Sequence, residues 1–368
     1  MRGLIFVLTI ILLVLCCDWV VYGEEDLSQY DFGDIDKLLE KEETESSFSE
    51  LVKELLTGDS EGVFVRMFDL GVDKLFGEIA INKGVVVKIV LLAICTALLS
   101  KLSVIFAGSK VSDMGFFSVF SLLMVLLVGA FAVNSNIAVG VVSILVSFMK
   151  LLIPVFFLAV GAASGLTASL GMYEIAFVSI MAVEYIILKF VIPAVSVYVI
   201  ILILNNMLEE DYLSKFASVI ETLIDWSIKI IPTLAIGINL VASIALPSVD
   251  YAKSKGYRKL FGLIPGVGGS VDSFVDIVTG SSTLIKNCIG SAALVVVILL
   301  VLIPIIKLLT ACLMYKVAAA VVQPISDKRV TSSVEVMAKG TNMLYRIVLS
   351  CGLMFFLTIG IVCLGTGR

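Results

Sequence analysis

The chain contains no histidine. That removes the usual general base at neutral pH, the commonest zinc ligand and the nucleophile–histidine pair of most hydrolases. Charge is scarce too: Asp, Glu, Lys and Arg make up 15% of the 368 residues, against 60% hydrophobic. A soluble domain of this length carries more charge, so the composition points to a bilayer as solvent. Proline is rare, and five of the seven follow isoleucine. The seven cysteines show no CxxC spacing. Cys16 and Cys17 lie in an apolar leader, and Cys95, Cys288, Cys312, Cys351 and Cys363 lie in or beside apolar runs, as expected of small membrane-packing residues rather than disulfides or a metal site. No stretch brings a nucleophile together with a base, so the chain is not expected to be an enzyme. No cofactor and no nucleic-acid partner are implied.

What is present divides into three parts. Met1-Arg2, the run LIFVLTIILLVL and Val21-Tyr22-Gly23 form a signal peptide over residues 1–23, cut after Gly23 or retained as an anchor. Residues 24–83 hold seventeen Asp or Glu against six Lys or Arg, a net of −11, whereas residues 84–368 carry a net of +6. The acidic part is expected outside the cytoplasm. Its recurring Phe48, Leu51 and Leu55, then Phe64, Met67 and Phe68, suit short helices on the outer membrane face or against a partner, or one packed helix after a disordered lead.

From residue 84 the sequence predicts an all-α, polytopic membrane domain. It has about seven or eight transmembrane helices with broken or re-entrant segments. Apolar stretches fall at 85–106, 114–134, 137–161, 172–190, 193–208, 228–246, 286–303, 304–323 and 341–364. GAASGLTASLG at 161–171 weakens any helix crossing it. Phe216, Val219, Ile220, Leu223 and Trp226 form one stripe, as an interfacial helix would.

The Ile-Pro pairs at 154 and 193 and at 265 and 304 repeat with an offset of 111, which predicts an internal duplication: repeats 85–195 and 196–306, then final helices 307–368. Residues 137–176 contain only Lys150 and Glu174 as charges, whereas the matching 248–287 contain eight. Among these, Asp272 and Asp276 share a helical face, with Lys286 or Lys316 as a possible counter-charge. This is either a polar stripe lining a passage or a charged cap on the bundle. Lys150 with Glu184 is a candidate buried pair that fixes helix register, while snorkelling explains Lys189 and Lys307 equally well.

The succession LIPGVGGSVDSFVDIVTGSSTLIKN, an apolar span, then IPIIKLLTACLMYKVAAAVVQP resembles the stage III sporulation protein AE family of spore-forming bacteria. The resemblance implies a multi-pass protein of the mother-cell membrane around the forespore. It also implies partners: the other stage III sporulation A-set membrane proteins, their secretion-type ATPase, and a forespore protein across the intermembrane space. The assembly would be a channel or secretion-like conduit for forespore development. The residues themselves also suit a stand-alone secondary transporter or permease, or a non-conducting membrane scaffold.

Overall fold

A computed structural model describes residues 30–41, 47–57, 84, 87–98, 110–164, 166–208, 210–261 and 268–365; over 246–261 and 268–281 it describes the helical backbone alone. The signal peptide and, in the acidic segment, residues 24–29, 42–46 and 58–83 lie outside the described residues. All regular structure among the described residues is helical.

Two short helices come first, α1 (Gly33–Lys41) and α2 (Phe48–Thr57). Ser47 accepts from the Glu50 N–H at 3.2 Å, and Asp36 Oδ1 on α1 accepts from the Phe48 and Ser49 N–H groups at 2.7 and 3.2 Å. The first turn of α2 is thus capped twice, once locally and once by its neighbour. Ile35, Leu39, Phe48, Leu51 and Val52 are buried in the main core, Phe48 meeting Phe148 edge-on at 6.1 Å. The described part of the acidic segment is therefore docked on the membrane domain, not a disordered lead.

A short apolar helix, α3 (Val87–Leu98), is the described part of the expected 85–106 span. The long elements follow: α4 (Lys110–Ser164), α5 (Leu166–Ile186), a π-helical turn (Ile187–Val191), α6 (Ile192–Met207), α7 (Ser214–Phe261), α8 (Gly268–Val322) and α9 (Lys328–Gly365). Five helical runs among the described residues are long and apolar enough to cross a membrane: Phe117–Ala163, Ser169–Met207, Ser214–Ala245, Ser282–Val322 and Lys328–Cys363.

Fewer spans emerge than the sequence reading counts, because prolines do not break these helices. Pro154 lies inside α4 and Pro304 inside α8, so 114–134 joins 137–161 and 286–303 joins 304–323. In an apolar bundle, neighbouring groups and small local adjustments satisfy the carbonyl that a proline leaves free. Pro193 is absorbed differently. The π-helical turn precedes it, with the Ile192 N–H donating to the Ile187 carbonyl, and fuses 172–190 with 193–208. Of the prolines in the expected repeat, Pro154, Pro193 and Pro304 lie within helical segments, and Pro265 lies outside the described residues.

Direction alternates along the bundle. The chain reverses at the small-residue stretch around 165, where Phe157 meets Tyr173 edge-on at 6.3 Å. It reverses again at 208–213, where Asn205 accepts from the Leu213 N–H and donates to Asp211. The third described reversal is 323–327, where Pro324 follows α8 and Asp327 Oδ1 receives the Arg329 N–H at 3.0 Å as the cap of α9. The stripe predicted for an interfacial helix belongs to α7 instead. Phe216, Val219, Leu223 and Trp226 face outward and continue through Ile230, Leu234, Ile238 and Val241, while Ala217, Ile224, Ala235 and Asn239 face the bundle. An exterior this apolar over so many residues is one that lipid or another protein covers.

Close packing rests on particular glycines. A Cβ at Gly340 of α9 would lie 2.3 Å from Val199 and 2.9 Å from Phe131, so α6 and α4 can approach only a bare backbone. Gly340→Ala is expected to cost about 1–3 kcal/mol, the usual price of overpacking. Its melting temperature in detergent should fall, whereas Gly237→Ala, with nothing within 4 Å of the new carbon, should melt as the parent does.

Candidate functional site

An apolar exterior leaves polar side chains to find partners inside, and here they join helices far apart in sequence. Lys150 of α4 donates to Glu184 of α5 at 2.7 Å, with side chains 33% and 24% exposed. Arg346 of α9 donates to Asp225 of α7 at 2.7 Å, and Ser350 Oγ donates to the Ile228 carbonyl at 3.0 Å one turn on. Tyr198 of α6 donates to Glu221 of α7 at 3.0 Å. Asn134 of α4 donates to Thr341 of α9 at 3.2 Å and to Tyr315 of α8 at 3.5 Å, all three buried. Asn239 to Ser179 ties α7 to α5, and Asn206 to Ser333 ties α6 to α9.

Each tie follows from helical spacing. Glu221 and Asp225 are four apart on α7 and share one side of it, so one helix serves both Tyr198 and Arg346. The register of α7 against α9 is parallel, because Asp225 and Ile228 meet Arg346 and Ser350 in the same order. The α8–α9 hairpin is antiparallel, with Cys312 near the Ala338 carbonyl and Lys286 near that of Cys363.

The sequence-predicted residues separate on this frame. Lys150 and Glu184 are brought together. Lys286 is fully buried and donates to the Cys363 carbonyl at 3.2 Å, in the last turn of α9, where carbonyls lack intrahelical partners. One role of this lysine is to cap a neighbouring helix. Lys316 is exposed on α8, 30 residues along the same helix from Lys286, so the two cannot serve one site. Asp272 and Asp276 fall in the N-terminal part of α8, whose backbone is helical as expected; their side chains lie outside the described residues. Sequence reasoning missed Arg346–Asp225, Tyr198–Glu221 and the Asn134 cluster. Their signal was present in one form only: isolated polar residues in apolar runs, with no hint of the partner.

Between α4 and α6 a groove of about 170 Å³ is lined by Ser135, Asn136 and Ser196 among Val128, Phe131 and Ile200. No group of three or more metal-ligating side chains occurs among the described residues.

Five long apolar helical runs, an outward surface of large hydrophobics and polar groups paired across the interior define a multi-pass α-helical membrane protein. The sequence model of the stage III sporulation protein AE family matches residues 46–366, and the chain belongs to that family. A curated relative, the stage III sporulation protein AE of Bacillus subtilis (strain 168), is 26% identical over 290 residues, covering 78% of this chain and 72% of the relative. No solved structure matches the chain.

The Lys150–Glu184 contact predicts an asymmetric result. Lys150→Met or Glu184→Gln alone leaves a charge without its partner in apolar surroundings, at about 1–3 kcal/mol. The double variant should recover most of that loss of thermal stability in detergent. A double variant as unstable as the sum of the singles would mean the contact carries no coupling.

Proposed function

We propose that the protein is a membrane subunit of a sporulation-specific complex that joins mother cell to forespore as a channel or secretion-like conduit needed for forespore development. The observation that carries this reading is the family match over residues 46–366, which runs through all the long helices. The relative's name supports the sporulation role. In this reading the protein sits in the mother-cell membrane around the forespore, with other stage III sporulation A-set proteins, a secretion-type ATPase and a forespore protein as partners.

Helix lengths fit a subunit better than a solitary protein. At 1.5 Å per residue the 47-residue run of α4 is about 70 Å long, roughly twice a bilayer's hydrocarbon core. Much of its apolar face therefore needs cover other than one bilayer's lipid, which neighbouring subunits would supply. The reversals at 208–213 and 323–327 share one end of the bundle and bring Lys215, Lys328 and Arg329 there, while Lys253, Lys255, Arg258 and Lys259 fall toward the other end of α7. The acidic helices, with Phe48 on Phe148, dock away from the first end, and this reading takes that first end as cytoplasmic. The N-terminal part of α8, which carries Asp272 and Asp276, then lies toward the intermembrane space, as a conduit mouth or docking element. On the other hand, the Lys150–Glu184 and Arg346–Asp225 pairs are each closed on a single partner, and this favours the non-conducting scaffold as the second reading.

Genetic replacement tests both. A spore-forming host carrying this chain in place of its own family member should form heat-resistant spores, and loss of the chain should lower their yield by orders of magnitude. Asp272→Asn with Asp276→Asn should abolish sporulation while the protein still accumulates in the membrane if the stretch works as a conduit. Unchanged spore yield in that variant favours the scaffold; unchanged yield without the chain removes the sporulation role altogether.

A further inference from the structure

The exposed surface of the bundle is apolar on most sides, the Phe216–Val241 stripe of α7 included, but a polar strip runs beside that stripe on α7 and another along α9. Lys339 and Glu335 are exposed on α9, with Asn342 partly exposed; Ser218, Thr222 and Lys229 are exposed on α7. The parallel register fixed by Asp225–Arg346 sets Ser218 level with Lys339 and Thr222 close to Asn342. The two polar strips thus run side by side. At the same level the opposite flank carries no charge among the described residues and is apolar outside the groove lined by Ser135, Asn136 and Ser196. Asn134–Thr341 and the Gly340 contacts with Phe131 and Val199 place α4 and α6 there, and those helices expose Val133 (60%), Val197 (47%) and Ile200 (42%).

We infer that the joined polar stripes of α7 and α9 form a water-facing wall, reached from the end bearing the 208–213 and 323–327 reversals, while the α4–α6 flank at that level is shielded from water. Hydrocarbon would not accept Lys229, Lys339 and Glu335 on an outward face, because each charge would lose its hydration with nothing in return. Water accepts them without cost. The wall stops at Arg346, after which α9 continues as an apolar stretch of about 19 residues to Gly365, enough for one crossing. Among its charges, Asp225 is paired with Arg346, while Glu221 keeps its charge although Tyr198 donates to it, so Lys215, Lys229 and Lys339 exceed Glu335 and Glu221 by one. The solutes or segments this wall attracts are therefore anionic. This inference stands apart from the conduit reading, since it concerns which surface meets water and not what passes.

Single cysteines in the full-length protein test it, introduced into a Cys95→Ser background that removes the exposed described thiol, with the parent's labelling subtracted. Inverted membrane vesicles would be treated with membrane-impermeant thiosulfonates, one anionic and one cationic, at Ser218, Thr222 and Asn342 and, as controls, at Val133 and Val197, which lie outside the α4–α6 groove. The wall positions should react at least ten-fold faster than the controls. Relative to each reagent's rate with a free thiol, the anionic probe should be favoured several-fold at Thr222 and Asn342, and Lys229→Gln with Lys339→Gln should remove that preference. Equal reactivity of the two flanks overturns the inference. So does labelling of the wall only after detergent extraction, which would mean that another protein covers it. Fast labelling without charge preference overturns the anionic assignment and leaves the water-facing wall.

Discussion

A charged side chain inside this bundle has nowhere to turn but to another helix, whereas hydroxyls such as those of Thr358 and Ser243 can also bond a carbonyl of their own helix. That constraint organises the molecule more than hydrophobic burial does, since lipid tails are as apolar as a leucine core and reward no particular arrangement of it. Lys150–Glu184, Arg346–Asp225, Tyr198–Glu221 and Asn134–Thr341 are therefore the contacts that choose one packing among many of similar apolar area. Between them they connect α4 to α5, α9 to α7, α6 to α7 and α4 to α9. Steric fit then completes the choice: Gly340 and Gly290 admit side chains so close that any added carbon would displace them.

The same economy explains how the acidic N-terminal part can belong to a membrane protein. Its helices are amphipathic, with Ile35, Leu39, Phe48 and Leu51 turned to the bundle and Asp34 and Lys37 paired with each other in the open. The exposed Asp34–Lys37 contact contributes little to stability, as surface pairs do. The anchoring lies in the apolar face and in Asp36, whose carboxylate holds the start of the second helix against the first.

Composition made the helical, multi-pass character legible, and the missing histidine narrowed the chemistry. The Lys150–Glu184 pairing was legible because few charges lie in that part of the chain. Span counting failed at Pro154, Pro193 and Pro304, since the rule that proline ends a helix belongs to water, where a freed carbonyl simply hydrates. Arg346 with Asp225 was illegible because 121 residues separate them and each reads alone as a charge near the end of an apolar run. The outward stripe of α7 was recognised as a stripe, but sequence periodicity cannot tell which face of a helix looks at lipid and which at protein.

The π-helical turn at Ile187–Val191 has a consequence of phase. An extra residue in one turn rotates everything after it by about 100° relative to an uninterrupted α-helix. Before the turn, Glu184 looks to α4 and Ser179 to α7; after it, Tyr198 still meets α7, while Val199 and Asn206 look to α9. One continuous rod thereby adds α9 to its neighbours while keeping α7. Excising a single residue from that turn would straighten the rod yet leave its two halves unable to mate with α4, α7 and α9 at once, so the irregularity is what lets this segment act as the bundle's crossover.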